Sequence, residues 1–88
     1  MKWHVYILEC SNKALYTGVT NNLNRRFEDH KKGFGGHYTS YNRPVKILYS
    51  EIYQNRSKAL KRKAQIKGWT REKKLALIIG DLALLKIL

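Results

Sequence analysis

The sequence has few cysteines, few acidic residues and no long apolar run. Its one cysteine, Cys10, cannot form an internal disulfide and has no partner thiolate at the spacing of a zinc site. No apolar run approaches the ~20 residues that span a bilayer. The N-terminus has no signal-peptide pattern. These absences predict a cytoplasmic protein in a reducing compartment, with no membrane partner.

The common motifs of nucleotide binding and serine catalysis are also missing. The chain has no Gly-Lys-Ser/Thr phosphate loop, no dinucleotide fingerprint and no serine in a nucleophile motif. We therefore expect no small-molecule cofactor. Tyrosine, arginine and histidine remain, and they suit phosphodiester hydrolysis. In that reaction a phenol or imidazole activates water, an arginine holds phosphate charge and a metal ion stabilises the leaving group.

Basic residues far outnumber acidic ones. The chain has 18 Lys and Arg against six Asp and Glu, which gives a formal net charge of +12. Such an excess predicts a polyanionic partner, most often nucleic acid. An anionic membrane surface and a solvated basic surface without a partner are the alternatives. Residues 56–74 hold nine of the 18 basic residues, with Glu72 as their only acid. The predicted nucleic-acid-binding residues are Arg25, Lys58, Lys61, Arg62, Lys67, Arg71, Lys73 and Lys74.

The 88 residues predict one domain, and a hydrophobic content of 43% is enough for a packed core. The predicted elements are a hairpin over Met1–Thr20, a helix from Leu23 to about Lys32, a loop over Gly33–Pro44, a strand over Val45–Tyr53, a helix from about Ser57 to Lys67 and a helix over Arg71–Ile79. Residues 1–79 form the predicted domain. Residues 80–88 form an apolar tail, predicted to be a short helix that packs on the domain or on a second copy.

Tyr6 and Tyr16 lie in the predicted hairpin. Two β-prone runs flank the polar residues 11–13, which read as a loop. A three-residue loop places Tyr6 opposite Gly18 and both tyrosines on one face, with space beside Gly18. A two-residue loop would put the tyrosines on opposite faces.

The helix after the hairpin carries polar residues on its apolar stripe. At 100° per residue, Leu23, Phe27 and His30 fall close together, with Arg26 beside them. Arg26 could pair at the edge of the core while His30 serves a structural role. Alternatively, both line a polar site between helix and sheet, since residues four apart share a helix face. The glycine-rich loop that follows suits either contact with phosphates and bases or an ordinary connection.

A lysine interrupts the apolar arc of the second long helix. The predicted inward arc consists of Ala59, Leu60, Ala64 and Ile66. Lys63 falls in the middle of this arc, whereas Arg62 falls outside it. Lys63 could extend its stem to the surface, neutralise a buried anion, or stand where another residue once had a role.

These residues resemble the paired core motif of the GIY-YIG nuclease superfamily. Val5-Tyr6-Ile7 is followed by Tyr16-Thr17-Gly18, and the likeness covers most of residues 4–78. It continues through residues 22–27, His30, Gly35-Gly36, Tyr38-Thr39, Arg43-Pro44, residues 65–69, Arg71 and Lys73-Lys74. His37 is a weak match. The likeness is greatest to the small single-domain bacterial UPF0213 (YhbQ-like) group.

The resemblance implies an α+β fold, with a three-stranded antiparallel sheet flanked by three or more helices. It also implies an endonuclease that hydrolyses DNA with Mg²⁺ or Mn²⁺. By the resemblance Tyr16 matches the general base or water-orienting tyrosine, and Tyr6 supports the site. Arg26 matches the phosphate-stabilising arginine, His30 a residue that assists proton transfer, and Gly18 the glycine that leaves room. The resemblance favours a site role for Arg26 and His30.

One position departs from the family pattern. Relatives carry a metal-binding glutamate where this chain has Lys63. An ammonium has no lone pair for a metal ion and repels it. Glu51 and Glu72 lie on other elements, so neither is an evident substitute, and we assign no metal ligand. The sequence therefore predicts weak or absent metal-dependent cleavage, with a non-catalytic nucleic-acid-binding module as the alternative.

Overall fold

A computed structural model describes residues 2–34 and 42–88 of the chain. Over these ranges it has three strands and four helices. In chain order they are β1 (Trp3–Cys10), β2 (Leu15–Thr20), α1 (Leu23–Lys31), β3 (Pro44–Tyr53), α2 (Arg56–Lys67), α3 (Arg71–Ile79) and α4 (Leu82–Ile87). The sheet is antiparallel with strand order β2-β1-β3, which confirms the predicted fold class. The loop positions Gly35, Gly36, His37, Tyr38 and Thr39 lie outside the described residues.

Strands β1 and β2 form the predicted hairpin. The backbone N–H of Cys10 donates to the carbonyl of Ala14 at 2.9 Å, which closes a loop of residues 11–13. Lys13 takes the left-handed conformation, with φ of 67°, that completes three-residue hairpin loops. Tyr6 therefore lies opposite Gly18, and the predicted register is confirmed.

The two faces of the sheet are covered by different helices. The apolar core lies on one face and consists of Val5, Ile7, Ala59, Ile66 and Leu77. Helices α2 and α3 supply its last three members. Because side chains alternate along a strand, Tyr6 points to the opposite face, where it contacts His30 of α1.

Helix α2 faces the sheet differently from its predicted orientation. Leu60 and Ala64 were expected to point inward but are exposed, while Arg62 was expected to lie outside and is partly buried. The reason is an ion pair, because Arg62 Nε lies 2.9 Å from a carboxylate oxygen of Glu51 on β3. The apolar arc alone does not include this polar attraction across the sheet.

Side-chain caps define the helix ends. Asn22 caps α1 and Thr70 caps α3. Helix α2 begins at Arg56, close to the predicted start, because Asn55 accepts a hydrogen bond from the backbone of Lys58. Strand β3 likewise begins one residue earlier than predicted.

The last residues form the short helix α4. Its apolar side chains are largely exposed, with Leu82 at 66% and Ile87 at 80%. The division into a domain over residues 1–79 and a tail over residues 80–88 stays a prediction, as does self-association through the tail. In the part of the chain that the structure describes, no helix has both the length and the apolar character to cross a bilayer.

Candidate active site

Tyr6, Tyr16 and His30 meet between the sheet and α1. Tyr6 Oη lies 2.9 Å from His30 Nε2, and both side chains are almost completely buried. The ring centroid of Tyr16 lies 5.0 Å from that of His30 and 6.5 Å from that of Tyr6. The hairpin register puts the tyrosines on one face, and the helical period of α1 turns His30 toward them. Three of the four predicted catalytic side chains therefore lie in one cluster.

Arg26 is the fourth, and it hydrogen-bonds the hydroxyl of Tyr6. Burial raises the pKa of Tyr6 to about 12, although the hydrogen bond from Arg26 opposes this change. Burial and then the charge of Arg26 lower the pKa of His30 to about 4. Tyr6 and His30 are therefore both neutral at pH 7.

These protonation states are consistent with one direction for each hydrogen bond. A guanidinium is only a donor, so the oxygen of Tyr6 accepts from Arg26. The hydroxyl proton of Tyr6 is then free to be donated to Nε2 of His30. We assign the imidazole proton to Nδ1 on this basis. The arrangement holds one cation beside two neutral groups, and it suits an anionic ligand.

Gly18 leaves the space that Tyr6 occupies. A Cβ built on Gly18 would lie 2.5 Å from Cζ of Tyr6, closer than real Cβ contacts. Any side chain at this position would displace the phenol from His30.

Lys63 is partly buried on α2, between the core residues Ala59 and Ile66. Lys67, one helical turn later, lines a cavity together with Tyr16. Because residues four apart share a helix face, Lys63 lies on the side of α2 toward the strand of Tyr16. The described residues contain no cluster of three or more His, Cys, Asp or Glu that could hold a metal ion. Within residues 2–34 and 42–88, the side chains therefore offer no such set of ligands for the divalent ion that the resemblance implies.

Glu51 does not replace the missing carboxylate. It accepts hydrogen bonds from the hydroxyls of Tyr49 and Tyr53 and from two nitrogens of Arg62. Burial opposes ionisation, but these bonds prevail and lower the pKa of Glu51. The sequence reasoning missed this network. Its signal was the spacing of Tyr49, Glu51 and Tyr53, which puts all three on one face of β3.

The predicted nucleic-acid-binding residues divide into two groups. Arg62, Arg71 and Lys73 hold the fold together. Arg62 pairs with Glu51, Arg71 donates to the carbonyl of Lys13 at 2.7 Å, and Lys73 Nζ lies 4.5 Å from the ring centroid of Trp69.

The other basic residues lie on accessible surfaces. Lys58 and Lys61 are exposed on α2. Arg25 lines a cavity of 250 Å³ together with Arg26. Lys67 and Lys74 line the cavity beside Tyr16. One cavity with basic side chains therefore includes Arg26, and another includes Tyr16.

Comparison with known proteins identifies the class to which this fold and site belong. The family described as the GIY-YIG catalytic domain matches residues 2–76. The chain therefore belongs to the GIY-YIG family, as its motifs predicted, and this membership indicates a nuclease-type function. A UPF0213 protein of Staphylococcus aureus strain Mu3 is 50% identical over 74 residues, which are 84% of this chain and 90% of that relative.

Two solution structures are similar to this one. The UPF0213 protein BH0048 from Bacillus halodurans has a TM-score of 0.57 and 32% identity, covering 89% of this chain and 83% of that chain. The protein EF2693 from E. faecalis has a TM-score of 0.57 and 30% identity, covering 84% of this chain and 79% of that chain. Their names state no activity, so they support the fold and the family alone.

Proposed function

We propose that this chain is a DNA-binding GIY-YIG domain in which metal-dependent hydrolysis of phosphodiester bonds is weak or absent. The observation that carries the proposal is a site that keeps one part of the family pattern and departs from it in another. We call Tyr6, Tyr16, His30 and Arg26 the retained half and Lys63 the altered half. The buried group of Tyr6, His30 and Arg26 is present, but Lys63 stands where the family resemblance implies a metal-binding glutamate. A role on DNA also agrees with the cytoplasmic location that we expect.

The retained half is suited to a phosphate group. Tyr6 is buried, whereas Tyr16 is only partly buried and is the phenol nearer the surface. In our proposal Arg26 binds a phosphate oxygen through a charge-assisted hydrogen bond. Tyr16 contacts the same phosphate or orients a water molecule against it. Tyr6 and neutral His30 hold these groups in position.

The altered half favours binding over cleavage. The ammonium of Lys63 repels Mg²⁺ or Mn²⁺, while it attracts phosphate. No step through a metal ion is therefore assigned to this chain. A cation at this position of α2 would strengthen the binding of DNA, while the leaving oxygen of the phosphodiester would have no metal ion to stabilise it.

Replacing Lys63→Glu tests this proposal. We expect cleavage of branched, single-stranded or duplex DNA in Mg²⁺ or Mn²⁺ to increase by at least about 100-fold, because a carboxylate restores a metal ligand. Lys61→Glu is the matched control, since it makes the same change of charge at an exposed position of α2. The gain should disappear when Tyr16→Phe is added.

Two results would overturn the proposal. Robust cleavage by the unmodified chain that Tyr16→Phe abolishes would show that Lys63 does not disable the site. The absence of DNA binding without metal would remove the binding function. In the expected case, log K falls with log salt by a slope of about −0.9 for each phosphate neutralised. Salt-steep binding with no cleavage even in Lys63→Glu would identify a purely non-catalytic module.

A further inference from the structure

A cavity of 370 Å³ lies between the edge strand β2 and the junction of α2 with α3. Its lining consists of Leu15, Tyr16, Thr17, Lys67 and Lys74. Tyr16 also belongs to the tyrosine–histidine cluster, so the cavity adjoins the candidate active site. Thr17 and Leu15 point to the other face of the sheet, which makes this a separate compartment.

Two lysines and no acidic residue line this cavity. Lys74 is partly buried, and burial followed by the charge of Lys67 lowers its pKa. Within residues 2–34 and 42–88, neither lysine forms an ion pair with an acid. Two like charges in a partly desolvated place repel each other, and an anion is the ligand that relieves this repulsion.

Thr17 adds a polar group that the fold itself does not use. Thr17 is 5% exposed, and its hydroxyl oxygen is buried without a hydrogen-bond partner in the described residues. Buried polar groups nearly always have a partner, and an unpaired one destabilises the fold. Valine would fill the same volume without this penalty. A hydroxyl donor in a cavity lined by two lysines matches the acceptor oxygens of a phosphate.

The neighbouring basic side chains, Arg71 and Lys73, already have partners within the protein. This distinguishes them from Lys67 and Lys74. Arg71 donates to the carbonyl of Lys13 in the hairpin loop. This bond fixes the start of α3 against the hairpin and so holds Lys74 near β2. Lys73 lies over the ring of Trp69.

We propose that Thr17, Lys67 and Lys74 form a phosphate-binding site. In the complex it holds a backbone phosphate of the DNA strand next to the phosphate at Tyr16 and Arg26. The identity of the ligand as DNA rests on the proposed function. The binding of a phosphate group rests only on the cavity, its two lysines and the unpaired hydroxyl.

Four variants measure this site by DNA binding over a range of salt. We expect Lys67→Gln and Lys74→Gln each to reduce the magnitude of the salt slope, and by about 0.9 together, because the site neutralises one phosphate. Lys46→Gln is the matched control, since it removes the same charge from an exposed position on β3, at the opposite edge of the sheet. Its slope should stay unchanged.

Thr17→Val separates a binding role from a structural one. We expect about tenfold weaker binding with the slope unchanged, because the variant loses one hydrogen bond to a charged group. The same variant should melt a few degrees higher, roughly as expected for removal of an unpaired buried hydroxyl. Weaker binding in a more stable protein is the signature of a residue kept for its ligand. A lower melting temperature with unchanged binding would overturn the role of Thr17.

Inorganic phosphate is the second probe. Amide signals of Tyr16 and Thr17 should shift on titration in the unmodified chain and stay still in the Thr17→Val, Lys74→Gln double variant. If DNA binds but Lys67→Gln and Lys74→Gln behave like Lys46→Gln, the site is wrong and the proposed function stands. If inorganic phosphate shifts these signals while DNA does not bind, the DNA assignment fails together with the proposed function.

Discussion

The burial of neutral His30 predicts that this domain loses stability in mild acid. The imidazole has a pKa of about 4 in the folded chain, against an ordinary value of 6.5. Below pH 6.5 the imidazole of His30 binds a proton in the unfolded chain, whereas in the folded chain it stays neutral until the pH approaches 4. The contribution of His30 is therefore complete above pH 6.5 and is lost as the pH falls through this window.

The size of the effect follows from the two pKa values. Each unit of difference corresponds to about 1.4 kcal/mol in the free energy of unfolding at most. Linkage over this window gives a loss of about 2 kcal/mol between pH 7 and pH 5, and about 3 kcal/mol by pH 4. For a domain of this length, the loss at pH 5 lowers the melting temperature by roughly 10 °C.

Urea denaturation at constant ionic strength measures this loss directly. The control is His30→Gln, which retains an acceptor for the hydroxyl of Tyr6 and does not titrate. The His30→Gln variant will be less stable than the unmodified chain at every pH. The comparison is therefore between the slopes of the free energy of unfolding against pH in the two proteins. Glu51, whose pKa lies below its ordinary value of 4.5, is present in both proteins. Equal slopes between pH 7 and pH 5 would refute the buried neutral imidazole.

Two further substitutions test the packing around the site. Gly18→Ala should destabilise the fold by about 2 kcal/mol, because the new Cβ overlaps Tyr6. Gly68→Ala is the control and should change the stability little, since a Cβ at Gly68 would lie 3.6 Å from its nearest neighbour atom. Similar stability losses in the two variants would contradict the role of Gly18 in leaving space for Tyr6. Glu51→Gln should cost about 3 kcal/mol by leaving the charge of Arg62 uncompensated, whereas Tyr49→Phe removes one hydrogen bond and should cost about 1 kcal/mol. Chemical denaturation of the four variants measures these differences, and equal losses for the last two would argue against a strong ion pair.

Local rules of sequence predicted the part of the site that lies on the hairpin and on α1. The loop length follows from three polar residues between two β-prone runs, and it determines that Tyr6 lies opposite Gly18. The helical period likewise determines that Arg26 and His30 share a face. Both rules act over a few residues, so distant parts of the chain do not change their outcome.

The orientation of α2 depends on contacts with residues that are distant in the sequence. The apolar pattern of the helix therefore did not predict which of its faces points to the sheet. Arg62 turns inward because Glu51, eleven positions earlier, lies on the neighbouring strand. A helical wheel includes only the apolar side chains of its own helix. For the same reason the cavity at Thr17 was missed, because its two lysines come from different helices. Lys63 was identified as misplaced by both the wheel and the family motif, since a charge within an apolar arc is visible locally.

The indole of Trp69 gives the domain a built-in optical reporter. Arg62 lies 5.2 Å and Lys73 4.5 Å from its ring centroid, so two cations set the electric field at this fluorophore. The chain has one other tryptophan, Trp3, at the far end of β1. Trp69 also sits in the short connection from α2 to α3, between the helices that carry Lys67 and Lys74. Binding of an anion between those lysines would alter this field and so change the tryptophan fluorescence of the unlabelled protein.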